Sequence, residues 1–319
     1  MFTPASEIES VGLLGAGVIG AGWAAHFLWL GFDVVAYDPA PEGPEAARQL
    51  VAAAWPTMEN LGLAPGADPE RLHFAPSLAA MAASVQVVQE SGPENLETKI
   101  AAFAELDAAA APDVVLLSST SGLAMSDIQV RCRHPERTVV GHPFNPPYLI
   151  PLVEVVGGKE TAPEALAWAG KFYRAGGKHV LELAREDPGF VANRLQEALW
   201  REALHMVAAG EASVAEIDAA ITEGPGLRWA AMGPCLTFHL AGGEGGMAHM
   251  LDHFGPALEE PWTRLEAPKF SDELRRRMVE GCLDEAQGRG IGELTRQRDE
   301  AVLAILAAKK GTGTFSSGE

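Results

Sequence analysis

The chain of 319 residues is long enough for two ordinary domains, and with 47% apolar and 21% charged residues its composition excludes wholesale disorder. Its 24 Lys and Arg against 43 Asp and Glu give a net charge of −19, which repels phosphate backbones and anionic lipid and excludes nucleic-acid or membrane-surface binding as a main role. The three cysteines (Cys132, Cys235 and Cys282) are far apart and form no CxxC pair, so neither a disulfide framework nor a metal site is expected, and a reducing cytoplasm is the natural compartment.

From Val11 to Phe32 an uncharged run of 22 residues is long enough to span a bilayer. It holds six glycines, and Glu7 and Glu9 precede it where a signal peptide would carry basic residues. A buried strand–turn–helix is the better reading. Further strands are expected at Asp33–Tyr37, Leu72–Ala75, Val85–Gln89, Val114–Ser118, Thr138–His142, Leu152–Val156 and Val180–Leu183, after a first one at Ile8–Leu14. Helical patterns lie between them at Val18–Leu30, Glu45–Leu61, Leu96–Ala109 and Glu164–Ala175, with Thr161-Ala-Pro-Glu164 reading as a capping box for the last. This alternation predicts an α/β class, with a Rossmann-like, mostly parallel sheet over residues 1–186. After Glu186 the pattern turns helical: Phe190–Ala209, a capping box at Ser213-Val-Ala-Glu216, Asp272–Gln287 and Glu293–Lys309. An all-α second domain over 187–319 follows, ending in a small, polar Gly311–Glu319 tail expected to be disordered.

The first chemical motif is Gly15-Ala16-Gly17-Val18-Ile19-Gly20, placed between a strand and a helix. Its glycines permit a tight turn, close approach of a pyrophosphate and close helix–strand packing, while the helix N-terminus favours phosphate charge. Alone it reads equally as a structural turn. Asp38 decides the matter: it ends the next strand, 21 residues after Gly17, where a carboxylate accepts from a ribose 2′-hydroxyl. The same carboxylate repels a 2′-phosphate, and Pro39, Ala40 and Pro41 offer no arginine to hold one. The expected cofactor is NAD.

Next, Gly141-His142-Pro143-Phe144-Asn145-Pro146 closes one strand, and Glu154 lies twelve residues after His142 on the next. Oxidising a secondary alcohol requires a base near working pH, which histidine supplies, and a buried carboxylate fixes its tautomer. Spacing alone leaves His142 open to a second reading, a loop histidine satisfied by backbone. Likewise Ser119-Thr120-Ser121-Gly122 reads as a strand-end turn, and Pro188-Gly189-Phe190-Val-Ala-Asn193-Arg194 as the start of a long helix.

These four pieces, in this order after the Gly-rich loop, resemble the 3-hydroxyacyl-CoA dehydrogenase family from about residue 8 to about 305. The resemblance implies that His142 is the acid/base, that Glu154 orients it, and that Ser121 and Asn193 hold the reacting oxygen. It also sets Glu94, Lys99 and Asn145 against the cofactor and implies a homodimer. Pro143 and Gly122 depart from the family's usual His-Phe-Phe-Asn-Pro and Asn-Thr-Ser-Ser; neither removes a reacting group, and both put an acyl-CoA substrate in question. Gly226-Leu-Arg228-Trp229-Ala-Ala-Met-Gly233-Pro, Phe254-Gly-Pro-Ala-Leu258 and Pro261-Trp262 are similar to the branch of the family acting on L-carnitine. L-Gulonate, a hydroxyacyl-CoA and a non-catalytic, crystallin-like NAD-binding role stand as alternatives. For carnitine, Arg228 would pair with the carboxylate, with Arg194 as the competing partner, and Trp229, Phe144 and Phe254 would face the trimethylammonium; taken singly, each aromatic also reads as domain-interface core.

Overall fold

A computed structural model describes residues 2–254, 263–264 and 266–312. The chain divides into two compact units, Met1–Asn193 and Arg194–Glu319.

The first unit is built on one sheet of β1 (Ser10–Leu14), β2 (Asp33–Tyr37), β3 (Leu72–Phe74), β4 (Val87–Glu90), β5 (Val115–Ser118), β6 (Thr138–Pro143), β7 (Leu152–Gly157) and β8 (His179–Glu182), in the order β3-β2-β1-β4-β5-β6-β7-β8. Every strand expected from the sequence is present with its ends within two residues. β4 and β5 are buried along their whole length, as strands covered on both faces must be. The covering helices are α1 (Val18–Trp29), α2 (Gly43–Leu61), α3 (Leu78–Ala82), α4 (Leu96–Ala109), α5 (Met125–Ile128) and α6 (Pro163–Ala175). The uncharged run is β1, a turn and α1. Nine residues of α1 are buried, among them Trp23 and Phe27, whose rings stack at 5.2 Å. A helix apolar all round belongs in a core, and among the described residues no helix is long and apolar enough to cross a membrane.

One pairing reverses direction. β6 and β7 are joined by a loop without a helix and run antiparallel, which sets His142 directly opposite Glu154. α6 then carries the chain over to β8, parallel to β7. The start of β6 is anchored by a fully buried pair: Arg137 Nη2 lies 2.9 Å from Asp107 Oδ1 on α4 and also donates to the Asp107 carbonyl at 2.7 Å.

The capping box expected at Thr161–Glu164 does not form. The N-cap is Ala162, without a side-chain cap. Thr161 Oγ1 instead donates to the Thr138 carbonyl at 2.7 Å and accepts from Gly158 N–H at 2.8 Å, so the loop recruits it before the helix can.

The second unit is helical throughout its described residues: most of α7 (Ala192–Ala209), then α8 (Val214–Thr222), α9 (Pro225–Ala241), α10 (Gly246–Phe254), α11 (Asp272–Ala286) and α12 (Ile291–Thr312). The Ser213–Glu216 capping box is present. Val207, Val214 and Leu274 form its small core. α9 kinks where Gly233, at φ 73, meets Pro234. Phe190, expected inside the long helix, precedes it in a turn at φ 50 with its ring buried. Gly311 and Thr312 close α12 rather than opening a tail; residues 313–319 lie outside the described residues, as do Pro261 and Trp262.

Candidate active site

The Gly-rich turn opens on a cavity of about 710 Å3. Gly15 stands at φ +90, a conformation that disfavours any side chain. A Cβ on Gly20 would fall 1.9 Å from the Gly15 carbonyl oxygen, whereas one on Gly17 would meet nothing within 4 Å. Gly15 and Gly20 therefore close the turn, and Gly17 leaves room beside it. α1 begins at this point with no side-chain cap, so its first N–H groups are available to a phosphate. Asp38 lines the cavity and braces the turn, accepting from Ala16 N–H at 2.7 Å and from Ala40 N–H at 2.9 Å. With Val18 and Ile19 also on the cavity wall, the residues fit a dinucleotide. An Asp38→Ala variant is expected to weaken NADH binding about ten- to a hundredfold, because charge-assisted hydrogen bonds contribute about 1.5–3 kcal/mol, and to lose selectivity against NADPH. Paired NADH and NADPH fluorescence titrations check both.

Lys99 lines the same cavity yet is fully buried. Its ammonium lies 2.7 and 2.9 Å from the two Glu90 oxygens and 3.6 Å from Glu94 Oε2. Glu94 in turn holds the strand-end turn after β5: its Oε1 accepts from Thr120 Oγ1 (2.7 Å), Ser121 N–H (2.9 Å), Ser121 Oγ (3.2 Å) and Gly122 N–H (3.2 Å). Burial pushes the Glu94 carboxyl up, but the Thr120 hydroxyl, the Lys99 ammonium and the Ser121 donors outweigh it and hold the group below the usual carboxylate range. Nothing in the spacing of Glu94 and Ser121 announces this bond. Asn193 joins the cluster by donating to the Ser121 carbonyl at 2.9 Å.

The second cluster is His142 and Glu154, both buried, with Nδ1 to Oε2 at 2.8 Å. Glu154 Oε1 is separately filled by Val191 N–H at 3.0 Å and Ala192 N–H at 2.8 Å. The carboxylate accepts at Nδ1, so in the neutral imidazole Nδ1 carries the proton and Nε2 the lone pair. Burial pushes the Glu154 carboxyl up, but His142 and the Ala192 and Val191 N–H groups hold it below its ordinary range. The segment Val191–Asn193 ties the two clusters together, through its N–H groups to Glu154 and through the Asn193 side chain to Ser121. Phe144 packs edge-on against the His142 ring at 4.7 Å, and Phe190 stands at 5.7 Å.

These depressed carboxyls carry a sign. Folded values below the ordinary 4.5 mean that their stabilisation is complete above that pH and is lost as the pH falls through the folded value. The urea midpoint is expected to drop between about pH 5 and pH 3, and to drop less in Glu94→Gln; equal slopes would contradict this.

The remaining expected residues each lie within their own unit. Asn145 is exposed at the start of the β6–β7 loop. In the second unit, Arg228 is exposed and Trp229 half-buried on α9, while the side chain of Phe254 lies outside the described residues.

Comparison with known proteins gives one consistent result. The family description "3-hydroxyacyl-CoA dehydrogenase, NAD binding domain" matches residues 10–186, and "3-hydroxyacyl-CoA dehydrogenase, C-terminal domain" matches 189–293. The chain is 60% identical over 302 residues to an L-carnitine dehydrogenase of Streptomyces griseus, covering 95% of this chain and 90% of the relative. It is 51% identical over 307 residues to an L-carnitine dehydrogenase of Pseudomonas aeruginosa, covering 96% of each. Among solved structures it is similar to 5-formyl-3-hydroxy-2-methylpyridine 4-carboxylic acid 5-dehydrogenase, an NAD-dependent dismutase, at a TM-score of 0.80 and 28% identity over 95% of this chain and 99% of that one.

Proposed function

The chain belongs to the 3-hydroxyacyl-CoA dehydrogenase family and is an NAD-dependent oxidoreductase; from that premise we propose that it oxidises L-carnitine to 3-dehydrocarnitine. When bound, NAD supplies the hydride acceptor. His142 takes the hydroxyl proton at Nε2, and Glu154 fixes the tautomer and stabilises the imidazolium that results. Ser121 and Asn193 hold the reacting oxygen. The observation that carries this chemistry is the buried 2.8 Å His142–Glu154 pair on adjoining strands.

The substrate reading is supported by the relatives' names and, independently of them, by the Gly226–Pro234 element of the sequence. Arg228 pairs with the carboxylate. Trp229, Phe144 and Phe254 offer aromatic faces to the trimethylammonium, which no hydrogen bond can hold. Glu94, Lys99 and Asn145 serve the cofactor. Residues 1–186 form the cofactor domain, and 187–319 serve substrate binding and the pairing of two chains in the cytoplasm. Exposed Leu227, Phe238 and Leu240 on α9 support the pairing.

The test is NADH absorbance with NAD and L-carnitine, with D-carnitine, L-gulonate and L-3-hydroxybutyryl-CoA alongside. Turnover of L-carnitine alone is expected. Turnover of gulonate or the CoA ester in its place would overturn the substrate, and silence with all four despite NADH binding would favour a non-catalytic role. Trp229→Ala is expected to raise the KM for carnitine about tenfold with NADH affinity unchanged, the size of a desolvated cation–π contact.

A further inference from the structure

Behind the cofactor cavity runs a chain of hydroxyl, amide and indole groups, buried at Tyr173, Gln89 and Trp23 and half-buried at Ser119 and Ser91, that none of the roles above uses. Tyr173 Oη on α6 lies 2.6 Å from Gln89 Oε1 on β4. Gln89 Nε2 lies 2.8 Å from Ser119 Oγ and 3.4 Å from the Gly141 carbonyl on β6. Trp23 Nε1 reaches Ser119 Oγ at 3.2 Å, and Ser119 Oγ lies 2.8 Å from Ser91 Oγ. Ser91 follows β4 directly and lines the cavity. Its backbone carbonyl packs against Gly15, and a Cβ on Gly20 would lie 3.6 Å from the Ser91 Cβ.

The direction of every proton in this chain follows from donor and acceptor capacity. The Gly141 carbonyl only accepts, so the Gln89 group facing it is the NH2, and the Gln89 oxygen must accept from Tyr173. Trp23 Nε1–H and Gln89 NH2 are both donors, so together they fill the two lone pairs of Ser119 Oγ. The Ser119 proton can then go only to Ser91 Oγ. Ser91 therefore accepts on its buried side, and its own proton is turned away from the chain. No other partner among the described residues meets that hydroxyl. Glycine at position 141 is part of the device, since a Cβ there would fall 1.9 Å from Tyr173 Oη.

We propose that Ser91 is a cofactor-binding residue which donates a hydrogen bond from its hydroxyl to an oxygen of the bound dinucleotide beside the Gly-rich turn, with Tyr173, Gln89, Trp23 and Ser119 acting as positioning residues that fix the donor's direction. A fixed donor costs the cofactor no rotor to order on binding, and in a half-buried wall it meets little competition from water. The chain also ties the cavity wall to β6 at the residue before His142. The inference rests on the NAD-binding reading and is independent of which alcohol is oxidised.

The experiment is NADH titration by fluorescence, with thermal unfolding measured in parallel. Ser91→Ala is expected to raise the Kd for NADH about tenfold, the value of one hydrogen bond to a charged or strongly polar acceptor, with a Tm close to wild type because Ser119 is half-buried and can turn its proton to water; Ser91→Thr, which keeps the hydroxyl, restores it. Gln89→Glu reverses the chain, because a carboxylate at that site accepts from Ser119, and Ser119 then accepts from Ser91 and draws its proton inward. That substitution is expected to weaken NADH binding when Ser91 is present and to add nothing in the Ser91→Ala background. An unchanged Kd in Ser91→Ala overturns the donor. Additive losses for the two substitutions overturn the directed chain. Failure of the wild-type chain to bind NADH would overturn the NAD-binding reading itself, which the variants with wild-type Tm distinguish from loss of the donor alone.

Discussion

A His142→Gln variant is expected to bind NADH as the wild type does and to lose about 10²–10⁴-fold in kcat with L-carnitine, the range a positioned general base contributes. Glutamine matches the imidazole closely enough in reach to keep a hydrogen bond to Glu154, but it offers no basic nitrogen to the alcohol. The loss therefore isolates proton transfer from packing. Glu154 is held from both sides, by Nδ1 on one oxygen and by two N–H groups on the other, so removing the base leaves the carboxylate partly satisfied and the fold intact. Steady-state kinetics beside an NADH titration make the measurement. A kcat within tenfold of wild type, at unchanged NADH affinity, would remove His142 from the role of base.

The dinucleotide half of this arrangement was legible because its cause is local. Gly15, Gly17 and Gly20 are spaced by what one turn demands, and Asp38 directly follows β2, the strand next to β1. Hydrophobic runs likewise marked the strands, since burial on both faces leaves little choice of residue. The His142–Glu154 pair was visible only as a spacing. A run of apolar residues says nothing about strand direction, and only the antiparallel return of β7 brings the two side chains opposite each other. Still less visible were the bonds that cross the sheet. Glu94 was expected at the cofactor, yet its four short contacts all go to the Thr120–Gly122 turn, some 26 to 28 residues away in the chain. Hydrogen bonds between loops at the ends of neighbouring strands leave no period in the sequence, which is also why Thr161 misled: a Ser/Thr three residues before a glutamate marks a helix start only when no nearer carbonyl claims the hydroxyl.

Lys99→Met is expected to lower stability by about 3–5 kcal/mol, the usual consequence of removing one partner from a buried ion pair. Glu90 and Lys99 are each about 1% exposed, so the carboxylate left behind is poorly solvated. It keeps Ser118 Oγ at 2.6 Å and Gly92 N–H at 2.7 Å, two donors for a charge that has lost its paired ammonium. The double variant Lys99→Met, Glu90→Gln removes that charge and is expected to recover a large part of the loss, which urea denaturation reads as a shift of the midpoint back toward wild type. A single variant as stable as wild type would mean that desolvation cancels the attraction and that the pair contributes nothing. The position also carries a functional consequence that a purely structural pair would not. Lys99 stands between the cavity wall and Glu94, and Glu94 holds the Ser121 turn. Loss of the ammonium removes a positive charge from the dinucleotide site and, at the same time, one of the influences that keeps Glu94 ionised. NADH affinity and the placement of Ser121 should therefore fail together in Lys99→Met. In the double variant stability returns while NADH affinity stays low, because restoring neutrality beneath the cavity does not restore the cation that faces it.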